Sequence, residues 1–310
     1  MRVHQCQITV AFLIVACSPK EPARAPAAGS STSAPAHRVA TTTGLSNPES
    51  ALWDADQGVW FVSNVNGSPS AKDNNGFISR LRADGAIDSL RFIASGRDGV
   101  TLNAPKGLVL VADTLWVTDI DAIRGFNKRT GALVASVELG RKATFLNDPA
   151  LGPDGTVYIT DTGIQFDEKG QMTHPSPDRI FALKGRAISV AAEGDWLERP
   201  NGITWDASAD RFIVAPVGGP RLLGWKPGMT TADTIGTSPG GQDGVERLPD
   251  GPVLFSSWAD STVDELANGT SRRIITGVSS PGDFGVDPVR RLLALPMLME
   301  NRVEFWQLDQ

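Results

Sequence analysis

Apolar residues along this chain come in short runs, broken every few positions by Asp, Gly, Pro or Asn. No stretch carries the capped three-to-four-residue apolar spacing of an amphipathic helix, so the pattern predicts short strands joined by turns. One phrase recurs: a polar residue, an apolar strand, a turn and a second apolar strand. It reads PESALWDADQGVWFVSN from Pro48, PKGLVLVADTLWVTDI from Pro105 and LNDPALGPDGTVYITDT from Leu146. It returns as PNGITWDASADRFIVAP from Pro200, QDGVERLPDGPVLFSSW from Gln242 and PGDFGVDPVRRLLALPM from Pro281. The copies start roughly 40 to 57 residues apart, the period of propeller blades.

Further strand-like runs lie between the copies, among them Arg179–Leu183, Arg186–Ala192, Arg221–Trp225, Thr262–Leu266 and Arg302–Trp306. Four strands per repeat and six repeats predict an all-β, six-bladed β-propeller with four-stranded blades. The last copy leaves room for only three strands before Gln310. Arg38–Thr43 (RVATTT), rich in β-branched residues, is therefore predicted to supply the outermost strand of the last blade. That exchange covers an edge that would otherwise be exposed.

In a propeller, each innermost strand starts at one end of the central channel, so equivalent residues from all blades meet there. Aligning the copies places Glu49, Lys106, Asn147, Asn201, Asp243 and Gly282 at that position, with Asp283 competing for the last place. Two carboxylates and two side-chain amides aimed at one axis form a set of oxygen donors suited to a hard cation such as Ca²⁺. Unneutralised, Glu49 and Asp243 would repel each other and their pKa values would rise. The plainer alternative is that Asn, Asp and Gly merely cap turns at strand starts.

The placement resembles the gluconolactonase, senescence-marker-protein and luciferin-regenerating-enzyme family of calcium-dependent six-bladed propellers, over residues 44–308. The resemblance implies that Glu49 (PESALWD), Asn147 (LNDPALGPDG), Asn201 (RPNGITWD) and Asp243 (QDGVERLPDG) bind one divalent cation, Ca²⁺ or alternatively Zn²⁺, Mn²⁺ or Mg²⁺. It further implies a lactonase- or esterase-type hydrolase in which the metal is a Lewis acid and Asp243 the general base. Asp148 is a second candidate base or a turn residue, and Lys106 either supplies a cation to the substrate or points into solvent. Phe145 stands where relatives acting on sugar lactones look to carry Arg, which argues against gluconolactone as substrate. The alternative function is a non-catalytic propeller that binds a protein or glycan at the cell envelope. A condensing enzyme similar to strictosidine synthase fits less well, because the metal ligands are retained.

Composition narrows these readings. The formal charge of −6 offers no footprint for nucleic acid or anionic lipid. A monomer acting on a small lactone or ester is the expected arrangement. Cysteine occurs only as Cys6 and Cys17, and histidine only as His4, His37 and His174. A mature domain lacking Cys6 has no disulfide, and a poly-His zinc site or His triad is improbable. The tryptophans of LWDAD, LWVTD and GITWD are expected to pack between blades. Asp119 and Asp161, at the ends of second strands, are expected to hold turn amides, with a second calcium site as the alternative. The long segments Asn64–Gly76 and Gly163–Arg179 are expected as loops, the latter overhanging one face as a lid or merely flexible.

The first residues differ in kind. Arg2 precedes the apolar run ITVAFLIVA (Ile8–Ala16), too short to span a bilayer and of signal-peptide length. The run ends in Ile14-Val15-Ala16-Cys17, which resembles the lipobox of bacterial lipoproteins. Residues 1–16 are thus predicted as a signal peptide, 17–37 as a lipidated Cys17 with a disordered Pro/Ala/Ser tether, and 38–310 as the propeller. The expected location is periplasmic or cell-surface, the lipid being the only membrane contact. Ser18 favours the outer membrane if there are two. In cells fed a clickable fatty acid, the wild-type chain should take up the label and Cys17→Ala should lose it and leave the membrane fraction. A C17A chain still labelled would refute lipidation at that residue.

Overall fold

The structure, a computed structural model, describes residues 36–309 except 250 and 268; Cys17 and the signal segment lie outside these residues. Six four-stranded antiparallel sheets make six blades. Blade 1 comprises β2 (Pro48–Asp54), β3 (Val59–Asn64), β4 (Phe77–Arg82) and β5 (Ile87–Ala94). Blade 2 comprises β6 (Pro105–Val111), β7 (Thr114–Asp119), β8 (Ala122–Asn127) and β9 (Leu133–Glu138). In blade 3, β10 (Leu146–Leu151) and β11 (Val157–Asp161) are followed by a small hairpin, β12 (Gln165–Phe166) and β13 (Met172–Thr173), before β14 (Arg179–Lys184) and β15 (Ala187–Glu193) complete the sheet. Blade 4 runs β16 (Pro200–Asp206), β17 (Arg211–Pro216), β18 (Arg221–Trp225) and β19 (Asp233–Thr237). Blade 5 runs β20 (Gln242–Arg247), β21 (Val253–Ser257), β22 (Thr262–Ala267) and β23 (Thr270–Thr276).

Blade 6 has β24 (Gly285–Asp287), β25 (Leu292–Met297) and β26 (Arg302–Gln307), and its fourth strand is β1 (His37–Thr43). β1 pairs antiparallel with β26, Thr43 opposite Arg302 and His37 opposite Gln307. The predicted closure holds, and His37, read with the tether, is the first residue of the closing strand. Among the described residues there is no α-helix, only 3-10 turns at Gly140–Lys142, Asp195–Leu197 and Leu298–Glu300.

Alternation within the strands puts one apolar face of each blade against the next, and the core divides accordingly into one layer per interface. Trp60, Leu81, Val303 and Phe305 join blades 6 and 1. Phe61, Leu115 and Phe126 join blades 1 and 2, and Ile123, Ile159 and Phe181 join blades 2 and 3. Tyr158, Phe212 and Trp225 fill the next interface, with Tyr158 and Phe212 ring centroids 4.7 Å apart. Burial of these side chains, about 1.5–3 kcal/mol each, is the main force holding blade to blade.

At the axis the packing is backbone on backbone. The first-to-second strand registers of blades 1 to 5 all shift just after the ring position, for example between Pro48 and Ala51 and between Gln242 and Val245. These bulges turn two successive residues of each inner strand toward the channel. Second-strand hydroxyls then tie blades 2, 3 and 5 to the blades that follow them. Thr118 Oγ1 donates to the Asn147 carbonyl at 2.5 Å, Thr160 Oγ1 to Asn201 at 2.5 Å and Ser256 Oγ to Gly282 at 3.1 Å. Glycine follows the ring residue in three blades because nothing larger fits: a Cβ on Gly202 would lie 2.3 Å from the Asp243 carbonyl oxygen. Gly202→Ala should therefore lower stability in urea by about 3 kcal/mol. Gly185→Ala, at a turn with open space around it, should cost about 1 kcal/mol. Equal urea midpoints for the two variants would contradict a tight axis.

Candidate metal and active site

The ring position is where the sequence alignment placed it. Glu49, Lys106, Asn147, Asn201 and Asp243 follow the first residue of β2, β6, β10, β16 and β20, and all five are at most 7% exposed. Gly282 occupies the sixth place, pressed against blade 1, where a Cβ would sit 2.4 Å from the Glu49 carbonyl oxygen. There the ring closes through backbone bonds, Asp283 N–H donating to Glu49 at 2.8 Å and Ala51 N–H to Asp283 at 3.1 Å.

The side chains of the ring are incompletely satisfied. Glu49 Oε2, Asn201 Oδ1 and Asp243 Oδ1 are buried without a hydrogen-bond partner. Asn147 uses its Nδ2 on Thr162 Oγ1 at 3.2 Å, which leaves its oxygen as the remaining donor atom. Buried oxygens of this kind cost about 1–3 kcal/mol each unless something meets them. Burial, then the nearby Asp243 and Asp283 carboxylates, push Glu49 well above the usual carboxylate range, with Lys106 pulling the other way. Burial and then Asp283 push Asp243 up to about 8, against the Trp258 and Asn201 hydrogen bonds that lower it.

Four side-chain oxygens, two of them ionisable and three of them orphaned, fit a hard cation with oxygen preference. Among the described residues no group of three or more His, Cys, Asp and Glu is placed to hold a metal. The donor set therefore depends on its two amides.

Lys106 does not point into solvent. It is 1% exposed, its Nζ donates to the Ala104 carbonyl at 3.2 Å and lies 4.1 Å from the centre of the Phe145 ring. Burial lowers its pKa to about 8, against Glu49, Asp119 and Asp161, which raise it. Phe145 thus covers a cation.

Asp148 is neither a turn residue nor a member of the ring. It lies in β10 one residue further along the channel, where its Oδ2 accepts the Ile203 N–H of blade 4 at 2.8 Å. Asp283 lies near it, where the two carboxylates act on each other electrostatically, and accepts Ser50 Oγ–H at 2.7 Å. Glu246 joins them around a cavity of about 200 Å³. Burial raises all three, Asp283 to about 7 and Glu246 to about 8.

Asp119 and Asp161 hold loop amides, as expected: Asp119 accepts Ala104 N–H at 2.8 Å and Asp161 accepts Phe145 N–H at 2.8 Å. These bonds fix the segments that deliver Lys106 and Asn147 to the ring. His174 stands outside the ring and is bonded through Nε2 to Asp178 at 2.7 Å; Asp178 also accepts Arg199 N–H at 2.6 Å. Glu198 and Arg199 both adopt left-handed backbone just before Pro200 and Asn201, a strain of about 1–2 kcal/mol each that no local motif announces.

Above blades 1 to 3 the two long segments meet. Phe166 N–H, in the blade 3 hairpin, donates to Ser70 Oγ of the blade 1 loop at 3.0 Å, and the Phe166 and Phe145 centroids are 6.0 Å apart. Sequence reasoning missed Trp258, whose Nε1–H donates to Asp243 Oδ2 at 2.8 Å. Its signal was there to find, since it follows the second strand of blade 5 rather than lying within a strand.

A comparison with protein-family models and one with curated proteins each find no match. Solved structures do match. A gluconolactonase from Xanthomonas campestris aligns with a TM-score of 0.66 and 16% identity, over 90% of this chain and 98% of that one. A calcium-binding protein, regucalcin, from Agrobacterium tumefaciens aligns with 0.61 and 15%, over 86% and 90%. Virginiamycin B lyase from Staphylococcus aureus aligns with 0.56 and 15%, over 86% and 98%. The gluconolactonase and regucalcin neighbours are those the sequence resemblance implied. At such identities the likeness establishes the propeller fold, which hydrolases and lyases share.

The buried carboxyl of Asp243 makes stability depend on pH. Its ordinary value of 3.8 is raised to about 8, so the folded chain binds this proton more tightly than the unfolded one. That stabilisation is complete below the ordinary value and is lost as pH rises through about 8. Asp283 and Glu246 act in the same direction. Chelator-treated protein should therefore unfold at lower urea concentration at pH 8 than at pH 5, and Asp243→Asn should reduce the difference. A midpoint independent of pH would show that the buried carboxyls are not under this strain.

Proposed function

We propose that this chain is a divalent-metal-dependent hydrolase of lactonase or esterase type, acting outside the cytoplasm on a small lactone or ester. The observation that carries the reading is the convergence of three partnerless buried oxygens, on Glu49, Asn201 and Asp243, with Asn147 beside them. Ca²⁺ is the cation this oxygen set suits best, in keeping with the calcium-binding description of the regucalcin neighbour. Glu49, Asn147, Asn201 and Asp243 would hold it, and when bound it would polarise the substrate carbonyl as a Lewis acid.

The chain's own residues supply the remainder. Asp243 is the general base that takes the proton from attacking water, and Trp258, donating to its Oδ2, fixes the orientation of the carboxylate. Lys106 keeps a positive charge beside the ring and is oriented by Ala104 and Phe145. That charge stabilises the oxyanion that develops on the carbonyl oxygen. The Phe145–Phe166 cover keeps water off this side of the ring. Asp148 serves as a positioning residue, since its Oδ2 holds Ile203 two residues beyond Asn201.

Calorimetry on the purified protein should find one Ca²⁺ per chain, with Asp243→Ala and Asn201→Ala each weakening binding at least 100-fold. A panel of lactones and aryl esters should be hydrolysed with a loss of at least 1,000-fold in kcat/KM in D243A. No cation bound and no substrate turned over would refute the reading and leave a binding scaffold at the envelope.

A further inference from the structure

The mouth of the channel is lopsided. Over blades 1 to 3 it is roofed by the loop and hairpin that meet at Ser70 and Phe166. Over blades 5 and 6 the second strands return through short turns, ending at Ser261 and Asn301 before β22 and β26 begin. The ring position of blade 6 is Gly282, which offers no side chain. Among the described residues no such long segment stands over blades 5 and 6.

What stands there is apolar. Of the eight tryptophans, Trp258 alone is exposed, at 40%, and Met299 on the neighbouring blade 6 turn is 66% exposed. Trp258 is held in place: its backbone N–H donates to Gly241 at 2.9 Å and its Nε1–H to Asp243 Oδ2 at 2.8 Å. With the one polar atom of the indole bonded inward, the exposed part is ring carbon. Gly241, with positive φ, passes beside it, and a Cβ there would lie 3.6 Å from the Trp258 Cβ. The nearby charges are engaged elsewhere, Asp260 with Arg273 and Glu300 with Arg302. An immobilised, uncovered aromatic surface bonded to a ring carboxylate is the composition of a ligand platform: apolar area with one fixed polar contact.

We infer that Trp258 is a substrate-binding platform and that the substrate carries an aryl or alkyl group lying over blades 5 and 6. The chemical class is an apolar-substituted lactone or ester rather than a polyhydroxylated one. The assignment of the reacting carbonyl rests on the hydrolase reading; the platform itself does not.

The test uses the full-length protein with Ca²⁺ and a pair of γ-lactams as non-hydrolysable lactone analogues, one phenyl-substituted and one hydroxylated. Calorimetry should show the phenyl lactam bound at least tenfold more tightly. Trp258→Ala should weaken it about tenfold and Trp258→Phe no more than about threefold. Both variants lose the N–H to Asp243, so the difference between them isolates the ring surface from any effect on the cation. Equal weakening in W258A and W258F, no preference for the phenyl lactam, or no binding of it by the wild type would each overturn the inference. Turnover of the corresponding lactones is read separately. Binding that depends on the Trp258 ring without turnover would sink the hydrolase reading alone, and turnover indifferent to Trp258 would sink the platform alone.

Discussion

Everything in this molecule answers to the crowding of six inner strands around one axis. Their backbones approach until a single added methyl group collides, as at Gly107, Gly202, Gly244 and Gly282. Strands so close leave room for one side chain per blade at each level, and the bulge after each ring position decides which residue that is. The hydroxyls of Thr118, Thr160 and Ser256 hold those levels in register by bonding the ring carbonyls of the following blade. The fold thus converts a repeat in sequence into a small circle of chosen side chains, with positions set by backbone contacts rather than by flexible loops.

Concentrating side chains on an axis concentrates their charge as well. Removing two carboxylates from water costs several kcal/mol per ion unless they are paired. Lys106 supplies one positive charge, but among the described residues its Nζ donates to a backbone carbonyl and faces the Phe145 ring rather than a carboxylate. The upper ring is therefore not neutralised by direct pairing within the chain. On the reading proposed above, the imbalance is the site's affinity for a cation, held in reserve by the rigidity that the inner strands impose.

Much of this was legible in the sequence because period and turn chemistry are local signals. The six phrases, the three-stranded last repeat and the RVATTT strand that completes it each follow from counting, and the ring residues follow from aligning the phrases. What was not legible depends on neighbours distant in sequence. Asp148 is a turn residue or a base by local rules, yet it is set by Ile203 of the next blade and by Asp283 from across the closure. Whether Lys106 faced water or the axis turned on Phe145, nearly forty residues away. Trp258 was passed over because most tryptophans here pack between blades, although it lies just beyond its strand and, in the fold, bonds Asp243. The left-handed pair Glu198–Arg199 carries no glycine to mark it.

The two levels of the channel differ in a way that crowding does not explain. Both levels carry buried carboxylates on the same inner strands, with their pKa values raised by the same burial. One residue further along the strands each acid has a donor: Asp148 the Ile203 N–H, Asp283 the Ser50 hydroxyl and Glu246 the Thr204 hydroxyl at 3.4 Å. One residue nearer the mouth, the same kind of strand leaves oxygens of Glu49, Asn201 and Asp243 with nothing. Crowding alone would starve both levels equally. A chain that can place a serine or a backbone amide against one carboxylate, and leaves Glu49 Oε2 and Asp243 Oδ1 without a donor, has left those oxygens to a partner it does not itself contain.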